Sequence, residues 1–495
     1  MAEGERTGHR NAGRNRKRQG GRRRLLPFLV LLCLLLLSGL CLGGYLYIKK
    51  YMPTKARADL GEYFDVAGNN VQVYLNEEKQ RTSKSYLVVG RFQENHVYLP
   101  YEFVREKLNR RFYWQESSAV FLYTLPAETV ATGEGDLLPD GSHAFFQEGK
   151  NLYLNVDWVK EYTDLRYQQN TDGEYKRIFL DNDWGAYAGA TVQKKEAVRV
   201  QGGVKSPVLT ELMPGTEVRI LEQLEKWTKV STPDGFQGYL RSSRLGEARE
   251  VKPESSFHAA DYTRRSLPEG QKVVLGFQQV MNAAANENLD ALTENTPGMN
   301  VIAPTWFVLS SSEGDFISYA SADYVARAHE KGYQVWATVN NFDLGRLDEG
   351  VLLRDLSLRG QLIGGLVQNA LENDIDGLNI DFELIPAELG QDYVQFMREL
   401  SVACRNAGLI LSVDCYVPFS YNSHYDLEEL GVFCDYVIIM CYDEHYAGSE
   451  EAARWHLSLT RTEVSARPRS WFRRSGSSLP FRSIPGCGSP RRMEA

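Results

Sequence analysis

The chain is short of the groups that hold metals and disulfides. It has 495 residues but only 7 cysteines and 8 histidines, and no Cys/His spacing in it fits a zinc site. Cys33 and Cys41 fall in an apolar N-terminal run, while Cys415, Cys434 and Cys441 lie in or beside strand-like apolar stretches. They read as buried thiols rather than as a disulfide framework. Basic patches interleaved with aromatics are missing from the middle of the chain, and the net charge is -8. Nucleic acid is therefore not the expected partner, and neither metal nor cofactor is expected. The length leaves room for several domains of roughly 100–200 residues each.

The N-terminus is built differently. An arginine-rich block at residues 14–24 runs straight into residues 25–48, which carry no charge. That is enough for the roughly 20 apolar residues that cross a hydrocarbon core. The arginines predict residues 1–24 as a basic cytoplasmic tail, 25–48 as a transmembrane helix, and everything after Lys49 as extracytoplasmic. A cleaved signal peptide is the other reading. It calls for an apolar stretch of about 7–15 residues ending in small residues. The run here is longer, and Leu40 precedes Cys41 where a lipoprotein site would want a small residue.

Three segments follow. In residues 60–185, "HVYLPYEFVREKL" at 96–108 aligns with "NLYLNVDWVKEYT" at 151–163. Each has a short alternating strand, an amphipathic helical turn and a further strand, so the segment reads as an α+β repeat module. It resembles the small domains at the front of copper amine oxidases and in exported cell-wall proteins of Gram-positive bacteria. His96 and His143 stand isolated in the sequence, so no copper site is expected. Residues 190–246 show short alternating strands broken at Pro214-Gly215 and Asp234-Gly235. With Trp227, Val230 and Gly238-Tyr239-Leu240 they resemble a bacterial SH3-like domain, a small all-β barrel. Such domains commonly bind peptidoglycan, and a mere spacer is the plainer alternative. Residues 247–271, charged and proline-containing, read as a linker.

From Lys272 the pattern alternates apolar runs with helical stretches: "KVVLGFQQV", "NVIAPTWFVL", "YQVWATVNN", "IDGLNIDFE", "LILSVDCYV" and "DYVIIMCYD". Strands buried on both faces and separated by helices predict parallel βαβ units and a (β/α)8 TIM barrel, with function at the C-terminal strand ends. In the fourth run Asn379, Asp381 and Glu383 share one face, and Leu378, Ile380 and Phe382 the other. Crowded carboxylates repel, which favours one of them keeping the proton that a general acid needs.

The run Asp376-Gly377-Leu378-Asn379-Ile380-Asp381-Phe382-Glu383 resembles the signature of family 18 glycoside hydrolases, and "PTWF" and "YDEHYAGSE" resemble its exported, spore- and cell-envelope branch. The resemblance implies Glu383 as the acid that protonates the glycosidic oxygen. It implies Asp381 as the group that orients the substrate's own N-acetyl carbonyl for attack. No enzyme nucleophile and no cofactor are then needed. Asn379 stands where many members have Asp, so Asp381 is expected to lack an anionic partner with which to share a proton, altering pH optimum or rate. Met440-Cys441-Tyr442-Asp443 is similar to the family's Met-x-Tyr-Asp element, which implies sugar contacts from Tyr442 and Asp443 beside Met440. Trp306, Tyr416 and Asn340 are candidate pocket walls, with core packing or loop anchoring as the alternative for each. The implied activity is a membrane-anchored glycosidase, chitinase- or N-acetylglucosaminidase-like. It would cleave a polysaccharide containing N-acetylglucosamine, either peptidoglycan or a chitin-like polymer, at a Gram-positive cell surface. A non-catalytic wall-binding or morphogenetic protein is the alternative.

Residues 272–452 thus read as a partial barrel, ending after about its sixth strand. Residues 453–495 are rich in Arg and Ser, with no apolar run. Relatives continue with something like Gly-Pro-Val-Ala-Ser-Leu. Written GGC CCG GTG GCA TCT CTC and read one nucleotide late, this becomes Ala-Arg-Trp-His-Leu-Ser, residues 453–458. The family's later Pro-Phe-Tyr-Thr-Arg-Leu-Trp, shifted the same way, becomes Arg-Ser-Ile-Pro-Gly-Cys-Gly, residues 482–488. The tail is expected to be a frameshifted reading of the same gene. A barrel lacking its last strands has open edges, so the chain is expected to be impaired in stability or activity. Sequencing the gene and reading on in the next frame from codon 452 should give a barrel-like continuation; a frame without one sinks this reading.

Overall fold

The computed structural model describes residues 22–268, 271–342, 347–441 and 483–485. The N-terminal run forms one helix, Arg22–Tyr51. Its side chains are exposed throughout Phe28–Tyr51, a stretch long and apolar enough to cross a membrane. The chain divides into two compact units, one of Met1–Gln80 with Tyr167–Glu254, the other of Arg81–Arg166 with Ser255–Ala495. This division runs through the segment 60–185.

In the first unit the SH3-like segment forms an antiparallel sheet. Its strands lie in the order Val208–Leu212, Glu196–Arg199, Gln237–Arg241, Trp227–Ser231, Glu217–Gln223, Tyr187–Thr191, Arg249–Val251. Gly215 and Gly235 adopt positive φ at the two expected turns. Arg177 is buried with its guanidinium between the rings of Phe64 and Phe236, at 4.7 and 4.6 Å. Its Nε donates to the carbonyl of Gly235 at 2.7 Å. The strand Arg249–Val251 comes from the expected linker and pairs with Tyr187–Thr191.

In the second unit the internal repeat appears as two strands, His96–Pro100 and Asn151–Asn155, paired antiparallel and each followed by a helical turn. The later part of the unit contains a row of parallel strands: β1 (Leu275–Gln278), β2 (Val301–Pro304), β3 (Gln334–Asn340), β4 (Gly377–Asp381), β5 (Ile410–Tyr416) and β6 (Tyr436–Met440). They neighbour one another in chain order. Helices α1 (Ala322–Glu330), α2 (Leu356–Glu372), α3 (Gly390–Ala407) and α4 (Leu427–Phe433) lie between later strands. This is the partial TIM barrel that the alternation predicts. Gly408 caps α3 with φ +80°, a conformation strained for any residue with a Cβ.

Three details differ from expectation. The second apolar run is two strands, broken at Thr305 and Trp306 just after Pro304. Its second half, Phe307–Leu309, forms a hairpin with Phe316–Ser318. Tyr262 of the expected linker is buried, and its hydroxyl donates to the Thr124 carbonyl at 2.7 Å. Leu267 is buried with Val301, Trp336, Ile410 and Tyr436, closing the N-terminal end of the barrel interior. The tail, expected to add no strand, contributes Ser483–Pro485, parallel to β6. An edge strand offers unpaired N–H and C=O groups, which such a segment satisfies. The other tail residues lie outside the described ones.

Alternation sorts the strand side chains by chemistry. Leu378, Ile380, Val413, Val437 and Ile439 belong to the apolar layer that α2 and α3 cover, each contributing about 2 kcal/mol by burial. The opposite faces carry Thr338, Asn379 and Ser412 in one row and Asn340 beside Asp381 in the next. The second unit is also held by a buried ion network. Glu429 accepts from Arg398 at 2.7 Å and from Arg111 at 3.2 Å, and both Glu429 and Arg398 are almost wholly buried. Burial would push the Glu429 carboxyl up, but Arg111, Arg398 and Arg110 together bring it down to about 2.

Removing one partner of such a pair leaves a buried charge uncompensated. Glu429→Gln should therefore destabilise this unit by about 3–5 kcal/mol, measured by urea unfolding at neutral pH. The folded value lies below the unfolded one of about 4.3. The wild-type advantage should thus be complete above that pH and fall away as pH drops toward about 2.

Candidate active site

The site grows from the way β4 is pinned. At its start, Asp376 Oδ2 accepts the backbone N–H of Val335 at 2.7 Å and contacts His329 Nε2 at 2.8 Å, fixing β4 against β3. Gly377 comes next because a Cβ there would meet the Ile410 carbonyl at 2.7 Å and the Trp336 ring at 3.1 Å. Leu378, Ile380 and Phe382 then bury outward, which forces Asn379 and Asp381 into the barrel interior.

Asn379 is fully buried and used at both ends. Its Nδ2 donates to Asp414 Oδ2 at 2.6 Å, and its Oδ1 accepts from Ser412 Oγ at 2.7 Å. Asp414, from β5, is 3% exposed. Burial first, then the charge of Asp381 and that of Glu383, hold its carboxyl well above the usual range, against the lowering effect of the Asn379 bond. Asp414 thus supplies a second carboxyl from the neighbouring strand, bonded to Asn379 and acted on by the charge of Asp381. The motif could not reveal it, although "LSVDCY" shows the same alternation, with Ser412, Asp414 and Tyr416 on one face.

Glu383 lies just past the end of β4, half-buried. Asn341, fully buried at the end of β3, holds its backbone from both sides: Nδ2 donates to the Glu383 carbonyl and Oδ1 accepts the Glu383 N–H, each at 2.9 Å. The Tyr416 hydroxyl donates to Glu383 Oε2 at 2.9 Å. Burial, then the Glu383 bond and charge, raise the Tyr416 hydroxyl, so it stays a donor. Leu384 follows at φ +54°, a left-handed conformation costing about 1–2 kcal/mol for a non-glycine residue. Its N–H reaches the Tyr416 hydroxyl at 3.3 Å. The strained turn thereby ends the strand and leaves the Glu383 carboxyl at the barrel mouth.

Glu383, Asp381, Asn379 and Tyr416 are therefore brought together as the sequence places them, and Met440 is buried at the end of β6. Trp306 is a correction. It is wholly buried in the core, its indole N–H bonded to Asn286 at 2.9 Å and its ring edge-on to Tyr324, so no sugar can reach it as a wall. Asn340 is likewise buried and accepts the Phe342 N–H at 3.3 Å. Tyr442 and Asp443 lie outside the described residues. Asn341 and Asp414 were missed. Elsewhere, His96 is not isolated, since Asp140 and Asp157 lie 3.8 and 3.9 Å from its ring. A cavity of about 190 Å³ sits beside β5, lined by Cys415, Tyr416, Phe419, Asn422 and Tyr425 among others. None of the three carboxyl groups lines it.

Residues 349–471 match the family described as Glycosyl hydrolases family 18, and residues 197–246 match the Bacterial SH3 domain. The first match extends past residue 452. Two Bacillus subtilis (strain 168) proteins named as glycosylases are similar. YvbX is 24% identical over 40% of this chain and 61% of its own, and YdhD 27% identical over 23% and 29%. The chain thus spans less than two thirds of either relative. The crystal structure of the Bacillus cereus spore cortex-lytic enzyme SleL aligns at 21% identity, TM-score 0.33, over 40% of this chain and 48% of that one.

The Asn341 clamp has a measurable consequence. Asn341→Ala leaves a buried backbone N–H and C=O unpaired at Glu383, which should cost about 1–3 kcal/mol in the unfolding of this unit. Differential scanning calorimetry reads it, and an unchanged transition would show the clamp to be dispensable.

Proposed function

We propose that this chain, which carries a family 18 glycosyl hydrolase domain and a bacterial SH3 domain, hydrolyses β-linked N-acetylglucosamine polymers at the outer face of a membrane. The observation that carries the reading is the Glu383 carboxyl, held at the strand ends by Tyr416 and Asn341 above the buried groups Asn379 and Asp414. An acid held by its surroundings, not by a mobile loop, is suited to protonating a leaving oxygen.

In the substrate-assisted route, Glu383 gives its proton to the glycosidic oxygen as the C1–O bond breaks. The substrate's 2-acetamido carbonyl oxygen forms the new bond to C1, and Asp381 stabilises the positive charge that develops on the acetamido nitrogen. Water then attacks C1, returning its proton to Glu383 and restoring the acetamido group with overall retention. Phe342, Leu384 and Tyr421, at the loops after β3, β4 and β5, are 47%, 67% and 75% exposed. Large apolar groups exposed together at the mouth suit the faces of sugar rings. The SH3 domain would hold the enzyme to peptidoglycan and the N-terminal helix to the membrane, as a single-pass anchor of a Gram-positive cell.

A non-catalytic wall-binding protein is the other reading, and the intact Glu383 speaks against it. The test is release of a chromogenic group from an N-acetylglucosaminide, by the 495-residue chain and by the product of the gene read on in the continuing frame. Glu383→Gln should lower the rate by about 10²–10⁴-fold. Peptidoglycan binding with no release by either of the two chains would establish the rival.

A further inference from the structure

We propose that Asp414 is a positioning residue of this site: bonded to Asn379 from the neighbouring strand, it holds the carboxyl proton that a family motif with Asp at 379 would hold beside Asp381. The inference rests on the hydrolase reading and adds a residue outside the motif. Its geometry is specific. Asp414 Oδ2 is occupied by Asn379, whose other end is occupied by Ser412. Asp414 Oδ1 is buried and has no hydrogen-bond partner among the described residues. An ionised carboxylate with one orphaned oxygen is costly in such a place, whereas a proton on Oδ1 removes the charge and makes a donor of that oxygen.

Among the described residues, the surroundings offer nothing else to neutralise it. From β4 and its end Asp414 faces Asn379, Asp381 and Glu383, and Ser412 and Tyr416 flank it on β5. On β6 its register partner is Ile438, with Met440 beyond. Among the described residues, no cation is included in the groups that act on it. Two carboxyls in one desolvated interior do not both ionise, and the deeper one keeps the proton. Asp381, less buried, can then remain the anion that meets the acetamido group. The asparagine at 379 is part of the same device: an Asp there could accept from Ser412 but could not donate to Asp414 without a proton of its own.

Residues 379 and 414 therefore form an exchangeable pair. In the full chain, Asp414→Asn should lower kcat/KM on the chromogenic substrate by about 100-fold, as a misplaced reacting group does, and should alter the pH–rate profile. The double exchange Asn379→Asp with Asp414→Asn keeps one carboxyl and one amide in contact. It should recover at least about tenfold of the loss, a rescue that a merely structural role would not give. A second readout needs no activity. Folding takes up a proton at Asp414, so stability falls as pH rises above the unfolded aspartate value of about 3.9. That slope should be shallower in Asp414→Asn, measured by unfolding across the neutral range. Wild-type rate and pH profile in Asp414→Asn, or an unchanged slope, overturns the proposal. Absence of hydrolysis from both the 495-residue chain and the product of the continuing frame refutes the hydrolase reading instead, and the slope alone then decides whether Asp414 holds the proton. If Asp414→Asn does not fold, the double exchange decides: a folded double variant with well under a tenth of the wild-type kcat/KM overturns the proposal.

Discussion

The hydrogen bond from Asn379 to Asp414 ties the chemistry to the packing. It crosses from β4 to β5 in the part of the barrel where helix-facing residues have claimed every apolar position. Burying Leu378 and Ile380 on one side and Val413 and Cys415 on the other leaves the polar residues of both strands only the interior. There they must satisfy one another, since water is excluded and an unmet donor or acceptor is costly. Ser412, Asn379 and Asp414 form a chain of donors and acceptors, and Asp381 and Glu383 are the outermost members of the same face.

Support for this arrangement comes from parts of the chain that look unrelated to it. Leu267 closes the N-terminal end of the interior, and Tyr262 ties the same segment to Thr124. Arg111, contributed by the repeat module, completes the charge balance of Glu429 between α3 and α4. Gln115 likewise accepts from the wholly buried Arg359 of α2, at 2.9 Å, beside its ion pair with Glu399. The segment 81–166 is thus a buttress for the barrel helices, whatever else it binds.

Much of the architecture is legible without coordinates. Six apolar runs, the separating helices, the SH3-like turns and the internal repeat all have local signatures, set by side-chain period and by glycine or proline at turns. The motif residues are legible for the same reason, since Asn379, Asp381 and Glu383 follow from alternation along one strand. Trp306 was misjudged because an aromatic at a strand end has the same local signature whether it faces a pocket or a core. Charge and proline describe the composition of the linker segment and not what Tyr262 and Leu267 within it cover.

What the sequence by itself determined is the set of chemical groups and the face of each strand they occupy. Which groups meet was decided only by the tertiary structure. Asp414 reaches Asn379, Tyr416 reaches Glu383 and Asn341 clamps the Glu383 backbone because β3, β4 and β5 lie parallel in one particular register. Register is a property of neighbouring strands; alternation is a property of one. A slip of a single residue would turn every one of these side chains to the opposite face, so the site exists only as a consequence of how the whole sheet is packed.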